Sequence, residues 1–134
     1  MKWESIAVFH AAGDGLDPEG LLVRHPVPHA TTYRKGDPGA FGRTHTISGL
    51  KVDLGAFQSK AALEQGVLAH LREHSGLYRD VANEGGRSSL GVGLSVFAKE
   101  PRTVTFSPEV LAAFVELGIT LHLTGYPCAD EVDD

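Results

Sequence analysis

The chain has 134 residues, of which 42% are hydrophobic and 22% are charged, and these values are typical of one globular domain. This composition excludes disordered, collagen-like and coiled-coil chains. Four of the five excess negative charges lie in residues 130–134, and the rest of the chain has no cluster of Lys and Arg. We therefore expect no nucleic-acid partner, because such proteins carry a basic patch that neutralises phosphates.

The cysteine content and the amino-terminal sequence predict the cellular compartment. Cys128 is the single cysteine, so no intramolecular disulfide can form, and a reducing compartment is expected. The chain begins without the apolar run of a signal peptide and lacks a stretch of about 20 apolar residues that would span a membrane. The sequence predicts a cytoplasmic protein with no membrane partner. We expect one domain over residues 1–127 and an acidic, disordered tail over residues 128–134.

The first half of the chain predicts three strands and one short helix. Residues 5–9 form an apolar, partly β-branched run typical of a buried strand that ends near His10. Asp17 followed by Pro18 indicates a helix start, with a capping residue before a first-turn proline. Prolines at positions 26 and 28 end this helix early, because proline donates no amide hydrogen. The two further strands are expected at residues 30–33 and 44–54, on either side of an exposed loop at 34–39.

The second half predicts two more helices. Ser59 is a capping residue for the longest helix, which carries an apolar stripe and is expected to stop at Gly76. A strand with an unusually small second face follows at residues 90–96. Ser107 then begins a helix that ends at Gly118, and a final strand covers residues 119–124. The order of elements predicts an α+β fold, with a mostly antiparallel, ferredoxin-like sheet and three helices packed on one face.

One motif suggests metal chemistry. The segment HLREH at residues 70–74 matches the inverted zinc-protease pattern, in which His70 and His74 bind the metal and Glu73 activates water. Residues four apart share a helix face, so the geometry is feasible. Catalytic zinc also needs a third protein ligand, and the other five histidines fit no zinc template. The alternative interpretation is a solvated helix face.

Other sites of catalysis or cofactor binding are not indicated. The sequence lacks the Gly-x-Ser-x-Gly nucleophile elbow, the dinucleotide fingerprint and the Gly-Lys-Ser/Thr phosphate loop. Cys128 follows the last predicted strand and is most simply a spare thiol. We predict no catalytic residues and no cofactor.

Two rows of side chains predict a binding surface instead. Thr120, His122 and Thr124 form a polar row on the last strand. A row of small residues, Gly91, Gly93 and Ser95, lies on another strand. If the two rows adjoin, they make a shallow polar face for a protein or a small ligand. The alternative is the ordinary solvated face of an antiparallel sheet.

Several segments resemble one bacterial family. The run TFSPEVL at residues 105–111, its continuation at 117–121 and the pair Tyr126-Pro127 are similar to the family known as domain of unknown function 4279. The early segments LDPE at 16–19 and RKGD at 34–37 extend the likeness over most of residues 3–127. The resemblance implies a bacterial α+β domain without an established activity. It transfers no functional positions.

The leading functional hypothesis is a non-enzymatic, protein-binding module, with immunity-like inhibition of a toxin as its concrete form. It follows from a well-specified scaffold without a convincing active site, and it is an association at the level of the fold. A metal-dependent enzyme using the HLREH helix and a small-ligand-binding domain are the alternatives. The oligomeric state stays open.

Overall fold

The computed structural model describes residues 3–97 and 103–128. Five strands and four α-helices follow one another in these residues, with a short 3-10 turn at Ala40–Gly42. Their bounds in chain order are β1 Ser5–Gly13, α1 Pro18–Arg24, β2 Ala30–Tyr33, β3 Ser48–Phe57, α2 Lys60–Glu73, α3 Ser75–Asn83, β4 Arg87–Phe97, α4 Pro108–Leu117 and β5 Ile119–Cys128.

The capping residues predicted from the sequence begin three of the helices. The side chain of Asp17 accepts a hydrogen bond from the amide of Gly20 at the start of α1. Ser59 and Ser107 each accept one from an amide three residues later, at 3.1 and 3.3 Å. These bonds satisfy amides that have no partner within the helix. At the far end of α4, Gly118 adopts the left-handed conformation with φ 66°, which suits a residue without Cβ.

The five strands form one mixed sheet in the order β2-β3-β1-β4-β5. The pairs β2–β3, β3–β1 and β1–β4 are antiparallel. β5 runs parallel to β4 over ten residue pairs, from Ser88 opposite Ile119 to Phe97 opposite Cys128. The connection that contains α4 returns the chain to the same end of the sheet, and a parallel pair requires such a crossover.

Two parts of the predicted fold need correction. The sheet is mixed, because the last strand is parallel to its neighbour. The described residues hold four α-helices where three were expected, because the long helix breaks at His74 and α3 continues through Gly76. Gly76 is not a stop: a Cβ there would lie 2.9 Å from Cε1 of His25, so the glycine makes room for that ring.

Strand lengths also differ from the sequence-based expectation. β1 continues past His10 to Gly13, and β5 continues through Gly125-Tyr126-Pro127 to Cys128. Gly125 and Pro127 are residue types that usually end a strand, but pairing with β4 keeps the segment at 125–127 in the sheet. The rest of the expected acidic tail, residues 129–134, lies outside the described residues.

One face of the sheet is covered. Ala7, Phe9 and Ala11 of β1 have no exposed surface, and they belong to the same hydrophobic cluster as the buried side chains of all four helices. The stripe predicted for the long helix is confirmed by the burial of Leu63, Val67 and Leu71. None of the described helices combines the length and apolar character needed to cross a membrane.

Candidate binding surface

The second face of the sheet is formed by the side chains that alternate with the core residues. Every one of its members is exposed or half-buried. We call this surface the open face, and it consists of Ile6, Val8 and His10 of β1, Lys51 and Asp53 of β3, Ser89, Gly91, Gly93 and Ser95 of β4, and Thr120, His122, Thr124 and Tyr126 of β5.

The two rows predicted from the sequence lie side by side on this face. In the register of β4 and β5, Gly91 is opposite His122 and Gly93 is opposite Thr124. The same register places Ser89 beside Thr120. β4 therefore forms a low floor, and the larger side chains of β1 and β5 stand on either side of it. Whether Thr120, His122 and Thr124 bind a partner stays a prediction.

An apolar contact crosses this floor at one end. A Cβ at Gly93 would lie 2.8 Å from Cε2 of Tyr126 and 3.0 Å from Cγ1 of Ile6, so both side chains reach over the glycine. Ile6 is 51% exposed and Tyr126 is 53% exposed. They border a depression of about 310 Å³. Tyrosine supplies both apolar area and a polar hydroxyl, a combination enriched at protein interfaces.

The other end of the open face is polar and basic. His10 of β1 is opposite Lys51 of β3 on one side and Ser89 of β4 on the other. Burial lowers the pKa of His10, and the charges of Lys51 and His122 lower it further. His10 therefore stands in a positive field, and a nearby anion would relieve that field.

The predicted metal residues lie in a different part of the molecule. His70, on α2, is only 7% exposed and stacks on Phe9 with ring centroids 4.6 Å apart. Its Nε2 shares a hydrogen bond of 2.6 Å with the hydroxyl of Tyr78, which is fully buried. Burial, aided by His74, lowers the pKa of His70 to about 4, and burial raises that of Tyr78. His70 is therefore a core residue and not part of a solvated helix face.

His74 and Glu73 complete the HLREH segment. The rings of His70 and His74 lie 4.9 Å apart, so the structure brings the predicted pair together. Nε2 of His74 is 3.8 Å from a carboxylate oxygen of Glu73, whose side chain is largely exposed. A metal on Nε2 of His70 would have to displace the hydroxyl of Tyr78. In residues 3–97 and 103–128, no group of three or more His, Cys, Asp or Glu is placed to hold a metal ion. Metal binding by this pair stays a prediction.

Comparison of the chain with protein-family models, with curated proteins and with solved structures found no match.

Sequence reasoning did not select His10, Ile6 or Tyr126 as members of the surface. The alternation of Ile6, Val8 and His10 with buried residues marks one side of β1, and this signal is present in the sequence. This alternation assigns the three residues to the candidate surface only when β1 is known to lie next to β4. Only the sheet order provides that information.

Proposed function

We propose that the protein is a non-enzymatic binding module that holds another protein on the open face of its sheet. The observation that carries the proposal is the register of β1, β4 and β5, which gathers exposed Ile6 and Tyr126 over Gly93 and aligns a polar row beside them. A partner side chain fits against an aromatic anchor of this kind, and water is excluded around it. Inhibition of a toxin, as by an immunity protein, is the concrete form of the proposal.

The charge and chemistry of the surface support this class of partner. The open face carries apolar, hydroxyl, amine, imidazole and carboxylate groups within one continuous sheet surface, and a protein can match such a mixture. Its depressions are shallow grooves beside exposed side chains, and pockets that hold small molecules usually enclose most of the ligand.

Co-purification with matched baits tests the proposal. The chain is tagged and recovered from its native host as wild type, as the double variant Ile6→Ser/Tyr126→Ala and as the control Val23→Ser. Val23 is a matched control because it is an exposed apolar side chain outside the open face. It is 79% exposed and lies on α1, a helix that contacts β2, β3 and α3. We expect one stoichiometric protein with the wild type and the control, and about a tenfold lower recovery with the double variant, as for loss of an interface hot spot.

Two results would contradict the proposal. Equal recovery by all three baits would place the partner on another surface. Repeated purification of the wild type without a stoichiometric partner would remove the protein-binding function itself.

Three finer assignments also belong to the proposal. The order β2-β3-β1-β4 with antiparallel neighbours supports a ferredoxin-like unit to which α4 and β5 are added. The segments at residues 16–19, 34–37 and 105–111 support membership of the bacterial family domain of unknown function 4279. A single cysteine supports a cytoplasmic location.

A further inference from the structure

A depression lies at the polar end of the open face. It measures about 400 Å³, and its lining residues are His10, Ala12, Arg87, Ser88, Ser89, Thr120 and His122. His10 and His122 belong to β1 and β5, the two strands that flank β4. Gly91 of β4 is opposite Val8 on one side and His122 on the other, so the floor between the two strands carries no side chain there.

The lining concentrates groups that carry or can gain positive charge. Arg87 and both histidines line the depression, and Lys51 adjoins His10 in the register of β1 and β3. None of the lining residues is a carboxylate. Across the part of the chain that the structure describes, neither Arg87 nor Lys51 forms an ion pair. This positively charged depression occurs in a chain whose formal net charge is -5.

The depression also offers hydrogen-bond donors. Ser89 and Thr120 carry hydroxyl groups, an imidazole donates an N–H, and the guanidinium of Arg87 donates in a planar fork. Charge-assisted bonds from such donors to an oxyanion are about twice as strong as bonds between neutral groups. An oxyanion would therefore satisfy both the charges and the donors of the site.

We propose that this depression binds an oxyanion, and that the oxyanion is a carboxylate from an acidic segment of the partner protein. The inference rests on the proposed function, because it describes what the partner presents at one end of the open face. Two parts of the open face then bind different features of the partner. Ile6 and Tyr126 contact an apolar side chain, and the depression binds a carboxylate.

Binding of an anion in this depression becomes tighter as the pH falls. The charged groups that face His10 are Lys51 and Asp53 on β3, Arg87 on β4 and His122 on β5. The carboxylate of Asp53 accepts the amide of Gly55 at 2.8 Å. A bound anion stabilises the protonated imidazole and raises the pKa of His10 from its lowered value. By linkage, protonation of His10 strengthens anion binding by the same factor.

A titration of the purified chain tests the inference without the partner. Histidine side-chain signals are followed by NMR at low salt while hexaglutamate or inorganic phosphate is added at pH 6 and at pH 8. We expect saturable shifts of His10 and His122 with hexaglutamate, and no shift of His45, which stacks on Tyr33. The affinity for hexaglutamate at pH 6 should exceed that at pH 8 by about twofold, because one full charge near the anion is worth about fivefold and His10, with its lowered pKa, is only partly protonated at pH 6.

Two arginine variants provide a matched pair. Arg87→Gln removes a charge from the depression, whereas Arg79→Gln removes one from α3, where Arg79 pairs with Glu116 at 2.7 Å. We expect Arg87→Gln to weaken hexaglutamate binding about fivefold and Arg79→Gln to leave it unchanged. Equal effects of the two variants would mean general charge attraction and would overturn the site.

The remaining outcomes separate the sources of the anion and the two proposals. Saturable binding of phosphate that hexaglutamate does not displace would identify a free phosphate site and overturn the carboxylate assignment. Recovery of a partner by the tagged baits without any hexaglutamate binding would leave the docking function standing and make this inference wrong. Hexaglutamate binding without a recoverable partner would contradict the proposed function and retain the anion site.

Discussion

The two faces of the sheet differ most clearly within one strand, β1. Ala7, Phe9 and Ala11 are fully buried under the helices, whereas Ile6 is half exposed and Val8 and His10 are half-buried. Neighbouring residues of β1 alternate between the two sides of the sheet. The position of the helices therefore decides which side chains hold the fold together and which remain available to a partner.

Histidine shows the same difference. On the covered side, His70 packs between Phe9 and Tyr78 and is held neutral by burial, with a pKa of about 4. On the open face, His10 and His122 line a depression together with Arg87. One residue type thus serves as a packing group on one face and as a candidate anion ligand on the other.

The largest expected effect is on the covered face. Phe9→Ala removes a ring that contacts both His70 and Tyr78, and we expect a loss of about 3–5 kcal/mol in the free energy of unfolding. Urea denaturation measures it. The control Ile6→Ala should lose less than about 1 kcal/mol, because that side chain is half exposed already. Similar losses for both variants would mean that the two faces are covered alike.

Acid should destabilise the covered face through His70. Its pKa falls from 6.5 to about 4 on folding, so the unfolded chain holds more protons between these pH values. The contribution of His70 to the free energy of unfolding is therefore fully present above pH 6.5. It decreases by about 2–3 kcal/mol as the pH falls towards 4. Urea denaturation at pH 7, 5.5 and 4.5 measures the slope. His70→Gln should be less stable at pH 7 but have a smaller slope, and an unchanged slope would assign it to other groups.

The same variant tests the predicted metal pair. If His70 and His74 bind zinc, saturating zinc must raise the melting temperature of the wild type and leave that of His70→Gln unchanged. Identical melting temperatures with and without zinc in the wild type would end the metal hypothesis.

Two glycines on the side of the sheet away from the helices differ in what an added side chain would meet. A Cβ at Gly49 would lie 2.5 Å from the backbone oxygen of Ala11, which cannot move without distorting the sheet. We expect Gly49→Ala to lose about 1–3 kcal/mol, as for overpacking. At Gly93 the nearest atoms belong to the exposed side chains of Tyr126 and Ile6, which can turn aside, so Gly93→Ala should lose less than about 1 kcal/mol. Thermal unfolding of the two variants side by side measures the difference, and the reverse order would contradict this account.

The smallest effect on stability belongs to the proposed docking residues. Ile6→Ser/Tyr126→Ala should change the free energy of unfolding by less than about 1 kcal/mol, because both side chains are about half exposed. Urea denaturation of this double variant is also the control for its use as a bait. A large loss would mean that Ile6 and Tyr126 mainly support the fold.

The candidate site was predictable only in part. Alternation along the last strand identified Thr120, His122 and Thr124 as one row, and alternation along β4 identified the small row beside it. The contributions of His10 and Lys51 were not predictable, because they depend on β1 lying between β3 and β4. Pairing at that distance in sequence is not encoded in any local pattern.

The sequence by itself determined the local structure: where Asp17, Ser59 and Ser107 begin helices, where Gly118 ends one, and which alternate residues of each strand are apolar. These features depend on hydrogen bonds and side-chain directions within a few residues of the chain. The tertiary structure alone decided the parallel direction of β5, the passage of a helix through Gly76, and the placement of His10 and His122 around one depression. Each of these is set by packing between segments far apart in sequence.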